Sequence, residues 1–182
     1  HRRQLFAQTL GPAEGIPVTE SPGRPWTQWA VLSVATVGFL GWAPYHLVPH
    51  KKWKGGGLLG TLAGAALLWA APTRGPLLWA LFGIVLLVSI VTSHWAEKWL
   101  SLDDPRIVID EVAGVWTACL LLPRLPAPFL LGAFFFRVFD VFKGPWGRAV
   151  SRLPGGWGVV ADDLVAGVIA FFLTKGITAA FL

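Results

Sequence analysis

Between Pro76 and Ala96 the sequence runs "PLLWALFGIVLLVSIVTSHWA", with no acid, lysine or arginine. A helix of about twenty such residues matches the ~30 Å hydrocarbon thickness of a bilayer. Five further apolar segments flank it: Trp26–Val48, Gly57–Ala71, Ile107–Leu122, Pro128–Phe142 and Trp157–Leu182. Charged residues make up only 14% of the chain, against about 25% in a soluble domain. The pattern predicts an all-α fold, a polytopic membrane helical bundle of about five to six helices. Gly41 and Pro44 interrupt the first segment, and the second, fourth and fifth are short for a full crossing, so some helices are expected to be short or tilted. A single membrane-embedded domain over residues 26–182 follows a polar flexible tail over residues 1–25, rich in proline and glycine ("GPAEGIPVTESPGRP").

Several function classes fall away. A lone cysteine, Cys119, forms no intrachain disulfide, and four histidines without ligand spacing do not suit zinc. The net charge of +5 is scattered, without the basic and aromatic interleaving of a nucleic-acid surface; an anionic lipid bilayer suits it better. Oligomeric state leaves no trace in the pattern.

Loop charge sets the expected orientation. Alternating connections place Lys51, Lys52, Lys54, Lys98, Arg106, Lys143, Arg148 and Arg152 on one side, against Arg24, Arg74 and Arg124 on the other. The lysine-rich side is then cytoplasmic. Outside the tail, the acids Glu97, Asp103, Asp104, Asp110, Glu111, Asp140, Asp162 and Asp163 all fall at helix ends or loops of that same side. Hydropathy alone does not require this convergence.

Three clusters carry the chemistry: "DDPRIVIDE" (Asp103–Glu111), "FRVFDVFK" (Phe136–Lys143) and "GGWGVVADD" (Gly155–Asp163). If Asp110 and Glu111 open the fourth helix, Asp140 closes the fifth and Asp162/Asp163 open the sixth, their carboxylates meet at one membrane edge. Oxygen ligands gathered in this way suit a hard cation, most naturally Mg2+. Arg137, Asp140 and Lys143 recur every three residues and share a helix face. That face can both support a metal ligand and grip phosphate, or Arg137–Asp140 is simply an ion pair. Asp162 read alone is also a helix N-cap. Asp103 and Asp104, just before Pro105, suit a turn. His94, Glu97 and Lys98 read as interfacial groups. Carboxylates within an apolar bundle also mark ion pathways, so a cation or proton transporter is the main alternative.

The stretches "RIVIDEVAGVW" (Arg106–Trp116), "FFRVFDVFK" (Phe135–Lys143) and "LPGGWGVVADDLVAG" (Leu153–Gly167) occur in this order. Together they resemble the phosphatidylglycerophosphatase A family of small bacterial membrane phosphatases, over Asp103 to about Phe172. The match departs after Lys143, where "GPWG" replaces the family's Pro-Trp-Pro, and at "VPHKKWKGGGLLGT" (Val48–Thr61), which lacks its Ala-Pro-Gly-Thr turn. The resemblance implies Mg2+-dependent removal of the terminal phosphate of phosphatidylglycerol phosphate, an anionic phospholipid, giving phosphatidylglycerol. It implies a multi-pass protein of the bacterial cytoplasmic membrane with its site facing the cytoplasm. On this basis Asp110, Glu111, Asp162 and Asp163 are expected to hold the metal, Arg137 and Lys143 the phosphate. Asp140, Asp110 and Asp163 form the catalytic set, with Asp140 ligating metal or orienting water.

Overall fold

The computed structural model describes residues 25–44, 55–101, 104–142, 144, 150 and 153–181. Among them are six α-helices and no strand: α1 (Trp26–Ala35), α2 (Gly56–Ala70), α3 (Pro76–Trp99), α4 (Ile109–Cys119), α5 (Pro126–Val141) and α6 (Gly156–Phe181). Each grows from one of the six apolar segments. The flexible tail expected over residues 1–25 falls outside the described residues except for Pro25, as do Lys51, Lys52, Lys54, Asp103, Lys143, Arg148 and Arg152.

The first segment breaks earlier than Gly41 and Pro44 suggest. The helix stops at Ala35, and Val37, Gly38 and Phe39 all take positive φ. Thr36 organises the stop: its hydroxyl donates to the Leu32 carbonyl at 2.7 Å and accepts from the Phe39 amide at 3.1 Å. Phe39 and Trp42 then pack against Trp29, so the chain folds back along α1. The Val108 amide donates to the Ala35 carbonyl at 2.9 Å, tying this break to the start of α4.

A short helix, α4, lies at the centre. Eight of the 11 residues of α4 are buried, and α2, α3, α5 and α6 all pack against it. Eleven residues rise only about 16 Å, half of a bilayer's hydrocarbon, but a helix enclosed by protein has no lipid thickness to match. Close approach comes from small residues, as in membrane helix packing. A Cβ at Gly60 would meet the Val108 carbonyl, and one at Gly64 would meet Val112 and Val115. The Trp116 indole donates to the Gly64 carbonyl at 2.9 Å, a buried bond between α4 and α2.

The two longest helices behave differently. α3 and α6 are long and apolar enough to cross a membrane, and only 22% of the most apolar stretch of each is buried. The core helix of a soluble protein would be mostly buried. Leu77, Ile84 and Leu87 of α3 and Val168 and Phe172 of α6 instead point outward, which fits a membrane-associated protein.

Candidate active site

Asp110 and Glu111 lie in the first turn of α4, where the helix dipole favours negative charge. Asp140 is the penultimate residue of α5. Both placements agree with the expected helix ends. Asp162 and Asp163 differ: α6 begins at Gly156, so the pair sits about two turns inside the helix rather than opening it. Asp162 is therefore not an N-cap; the glycines before it are helical, and the start falls at Gly155, whose φ of +61° favours glycine. Asp162 and Asp163 are instead buried acids on a helix face.

Asp110, Glu111 and Asp163 each present a carboxylate oxygen within 4.8 Å of the others. Gly114 on α4 makes this approach possible, because a Cβ there would strike the Phe136 ring and come within 3.1 Å of the Asp163 Cβ. Asp163 is 2% exposed. Asp110 Oδ1 and Glu111 Oε2 are buried and accept no hydrogen bond. Leaving buried carboxylate oxygens this close together is costly without a cation among them.

A cavity of about 440 Å³ opens over the trio and is also lined by Arg137, Asp140 and Gly57. The Arg137 guanidinium reaches Asp140 at 2.5 Å and Glu111 at 3.8 Å, bridging α5 to α4. The ion pair weighed from the sequence thus exists, and it stands in the wall of the acidic cavity. Asp162 is buried beside the trio but does not line the cavity; its Oδ1 accepts the Asp163 amide at 3.0 Å. Lys143, expected to hold phosphate, lies outside the described residues.

Asp104 forms the expected turn. Its carbonyl accepts the Ile107 amide at 3.0 Å across Pro105 and Arg106. Its carboxylate accepts the Arg106 amide and guanidinium and the Ser101 hydroxyl. Burial works to raise this carboxyl's pKa, but the hydrogen bonds from Arg106 and Ser101 outweigh it and hold the group below 3.8. The Arg106 guanidinium also lies 5.4 Å from the Trp42 ring centre. His94 lines a separate, largely apolar cavity with Trp95 and Trp157, and Lys98 stands 4.2 Å over Trp95.

Gly57 is the site residue that the sequence reading passed over. A Cβ there would collide with Glu111 Oε1 and reach the Arg137 guanidinium. The run Gly55–Gly57 before an apolar helix was the available signal.

A family model described as phosphatidylglycerophosphatase A matches residues 33–178, most of the chain. The chain belongs to the phosphatidylglycerophosphatase A family. It is 34% identical over 122 residues to the "Phosphatidylglycerophosphatase A" of Escherichia coli, covering 63% of this chain and 69% of that protein. Against the Haemophilus influenzae protein of the same name the identity is 29% over 124 residues, covering 67% and 76%. A Bacteroides thetaiotaomicron protein named "Putative phosphatidylinositol-3-phosphatase" is 34% identical over 131 residues, covering 69% of this chain and 82% of its own length. No solved structure matches. The phosphatidylglycerophosphatase A match extends through α3 and α2 to the C-terminal end of α1, beyond the stretch that carried the resemblance, and these relatives lend no support to the ion-transport alternative.

Proposed function

We propose that this chain is a membrane-embedded phosphatase that hydrolyses the terminal phosphate of phosphatidylglycerol phosphate, giving phosphatidylglycerol and inorganic phosphate. The observation that carries the reading is the buried oxygen trio of Asp110, Glu111 and Asp163 beside Arg137 in one cavity. An all-oxygen donor set with unbonded buried lone pairs fits a hard divalent cation. Asp110, Glu111 and Asp163 would hold Mg2+, with Asp162 on the same turn as a further candidate. Bound there, Mg2+ would neutralise charge on the phosphate oxygens.

The chain's own groups divide the remaining work. Arg137, fixed by Asp140 and Glu111, offers its other N–H groups to phosphate oxygens. Asp140 orients a water molecule and accepts its proton as the water oxygen bonds to phosphorus. The bond from phosphorus to the glycerol oxygen breaks, that oxygen takes a proton from solvent and leaves as the lipid alcohol, and Asp140 returns its proton to solvent. Lys143 completes the grip on the phosphate. The acyl chains remain in the bilayer beside the exposed apolar faces of α3 and α6, with the cavity at the cytoplasmic edge.

The test is phosphate release in detergent from phosphatidylglycerol phosphate and from phosphatidylinositol 3-phosphate, with Mg2+ titrated. Release is expected from the former, dependent on Mg2+, and near-complete loss in Asp110→Asn and Asp163→Asn. Preference for the inositol lipid would reassign the substrate. Wild-type turnover in either variant would remove that residue from the centre, and metal-independent release would remove the cation.

A further inference from the structure

The antiparallel run of the helices puts the connections α2–α3 and α4–α5 at the end of the bundle opposite the acidic cavity. Gly57 at the start of α2, Asp110 at the start of α4 and Asp140 at the end of α5 share that cavity, so the other ends of these helices point away from it. A second cavity, of about 600 Å³, opens between the two distal connections. Arg74, Thr73 and Arg124 line its polar part, and Leu78, Trp79 and Leu121 its apolar part.

We propose that this groove binds the phosphate of a net-anionic phospholipid headgroup, with the lipid's apolar part against Trp79 and Leu121. Its side-chain charge is positive, and among the described residues every acid lies on the other half of the bundle, in the α3–α4 region, at the end of α5 or in the first turns of α6. The two arginines are prepared differently. Arg124 donates to the Leu68 and Pro72 carbonyls and lies 5.9 Å from the Phe129 ring centre, so its guanidinium is held in place by the C-terminal end of α2. Arg74 is exposed and adaptable, and space beside it is open, since a Cβ at Gly75 would meet nothing within 4 Å. The first turn of α3, which has no side-chain cap, lines the same groove and adds the positive end of a 24-residue helix. Arginines that fork around phosphate beside apolar side chains recognise headgroups between membrane helices.

A free phosphate ion would satisfy the arginines but make no use of the apolar half. Trp79 is 52% and Leu121 60% exposed, and a lipid covers both while its phosphate meets Arg74.

The experiment is native mass spectrometry of the full chain in neutral detergent, with phosphatidylglycerol or phosphatidylcholine added. Wild type should retain phosphatidylglycerol in preference to phosphatidylcholine. Arg74→Gln should weaken that retention about fivefold, as expected for one arginine at an anionic headgroup. Lys98→Gln, which removes an exposed cation at the other end of the bundle, should keep it. Arg74→Lys should recover part of it, which separates lost charge from lost fold. Equal retention of the two lipids, or unchanged binding in Arg74→Gln, overturns the proposal. Complete displacement by inorganic phosphate overturns the lipid assignment. Hydrolysis is not read at any point, so this result and the phosphatase reading stand or fall separately.

Discussion

Arg137 gives the acidic cavity its geometry. One guanidinium spans Glu111 on α4 and Asp140 on α5, with 3.8 and 2.5 Å between charged atoms. A lysine keeps the charge but loses the planar fork, so it cannot hold both acids and a phosphate oxygen in fixed directions. Arg137→Lys is expected to lower kcat ten- to a hundredfold, the ~1.5–3 kcal/mol of a charged hydrogen bond, with a smaller change in KM. Steady-state kinetics on the lipid substrate checks it; unchanged kcat would make the bridge purely structural. Asp104 answers to pH instead. Its folded carboxyl is held below 3.8 by Arg106 and Ser101 despite the opposing effect of burial. The stability it contributes is therefore present above about pH 4 and is lost as pH falls through the lowered value. Asp104→Ala should cost about 2 kcal/mol near neutrality, and the gap to wild type should narrow in acid. Thermal unfolding in detergent at a series of pH values reads both.

At the scale of elements, helix approach decides whether the acids meet. Gly57 lets the start of α2 sit against Glu111 and Arg137, and Gly114 lets α4 sit against Phe136 and Asp163. Gly57→Ala drives a methyl group into the ion-pair network and should lower kcat about tenfold, roughly 1.4 kcal/mol, while leaving unfolding temperature nearly unchanged. Gly114→Ala drives one into a fully buried ring and should destabilise by about 1–3 kcal/mol. The two readouts separate a site glycine from a packing glycine; the reverse pattern would exchange their roles. The six helices were legible from apolar segment length, and Asp110, Glu111 and Asp140 from their position at segment ends. Two features were not. Reading Asp162 and Asp163 as the opening of α6 sets its start too late, because Gly156 and Gly158 are poor helix formers by propensity yet are buried in the helix, where a Cβ at Gly156 would meet the Ile90 carbonyl. The turn after Ala35 escaped because Val37 and Phe39 carry no turn signal; their positive φ is held by Thr36 and by packing on Trp29, which are tertiary causes.

The whole molecule divides its charge between two ends. Among the described residues, the carboxylates and their cavity occupy one, Arg74 and Arg124 the other, and the exposed apolar sides of α3 and α6 lie between. An apolar belt with polar groups confined to its rims is what a bilayer imposes. Cys119, fully buried, is a silent internal control for this arrangement. Leu153 precedes α6 at the acidic end and Thr73 precedes α3 at the opposite end; both are exposed. In right-side-out vesicles, an impermeant maleimide should label Thr73→Cys directly and Leu153→Cys only after the membrane is opened, with Cys119 reacting only on denaturation. If both introduced cysteines react from one face, α3 and α6 do not cross. If the order is reversed, the chain crosses with its acidic cavity outside, and a substrate made on the cytoplasmic leaflet would have no route to Asp163.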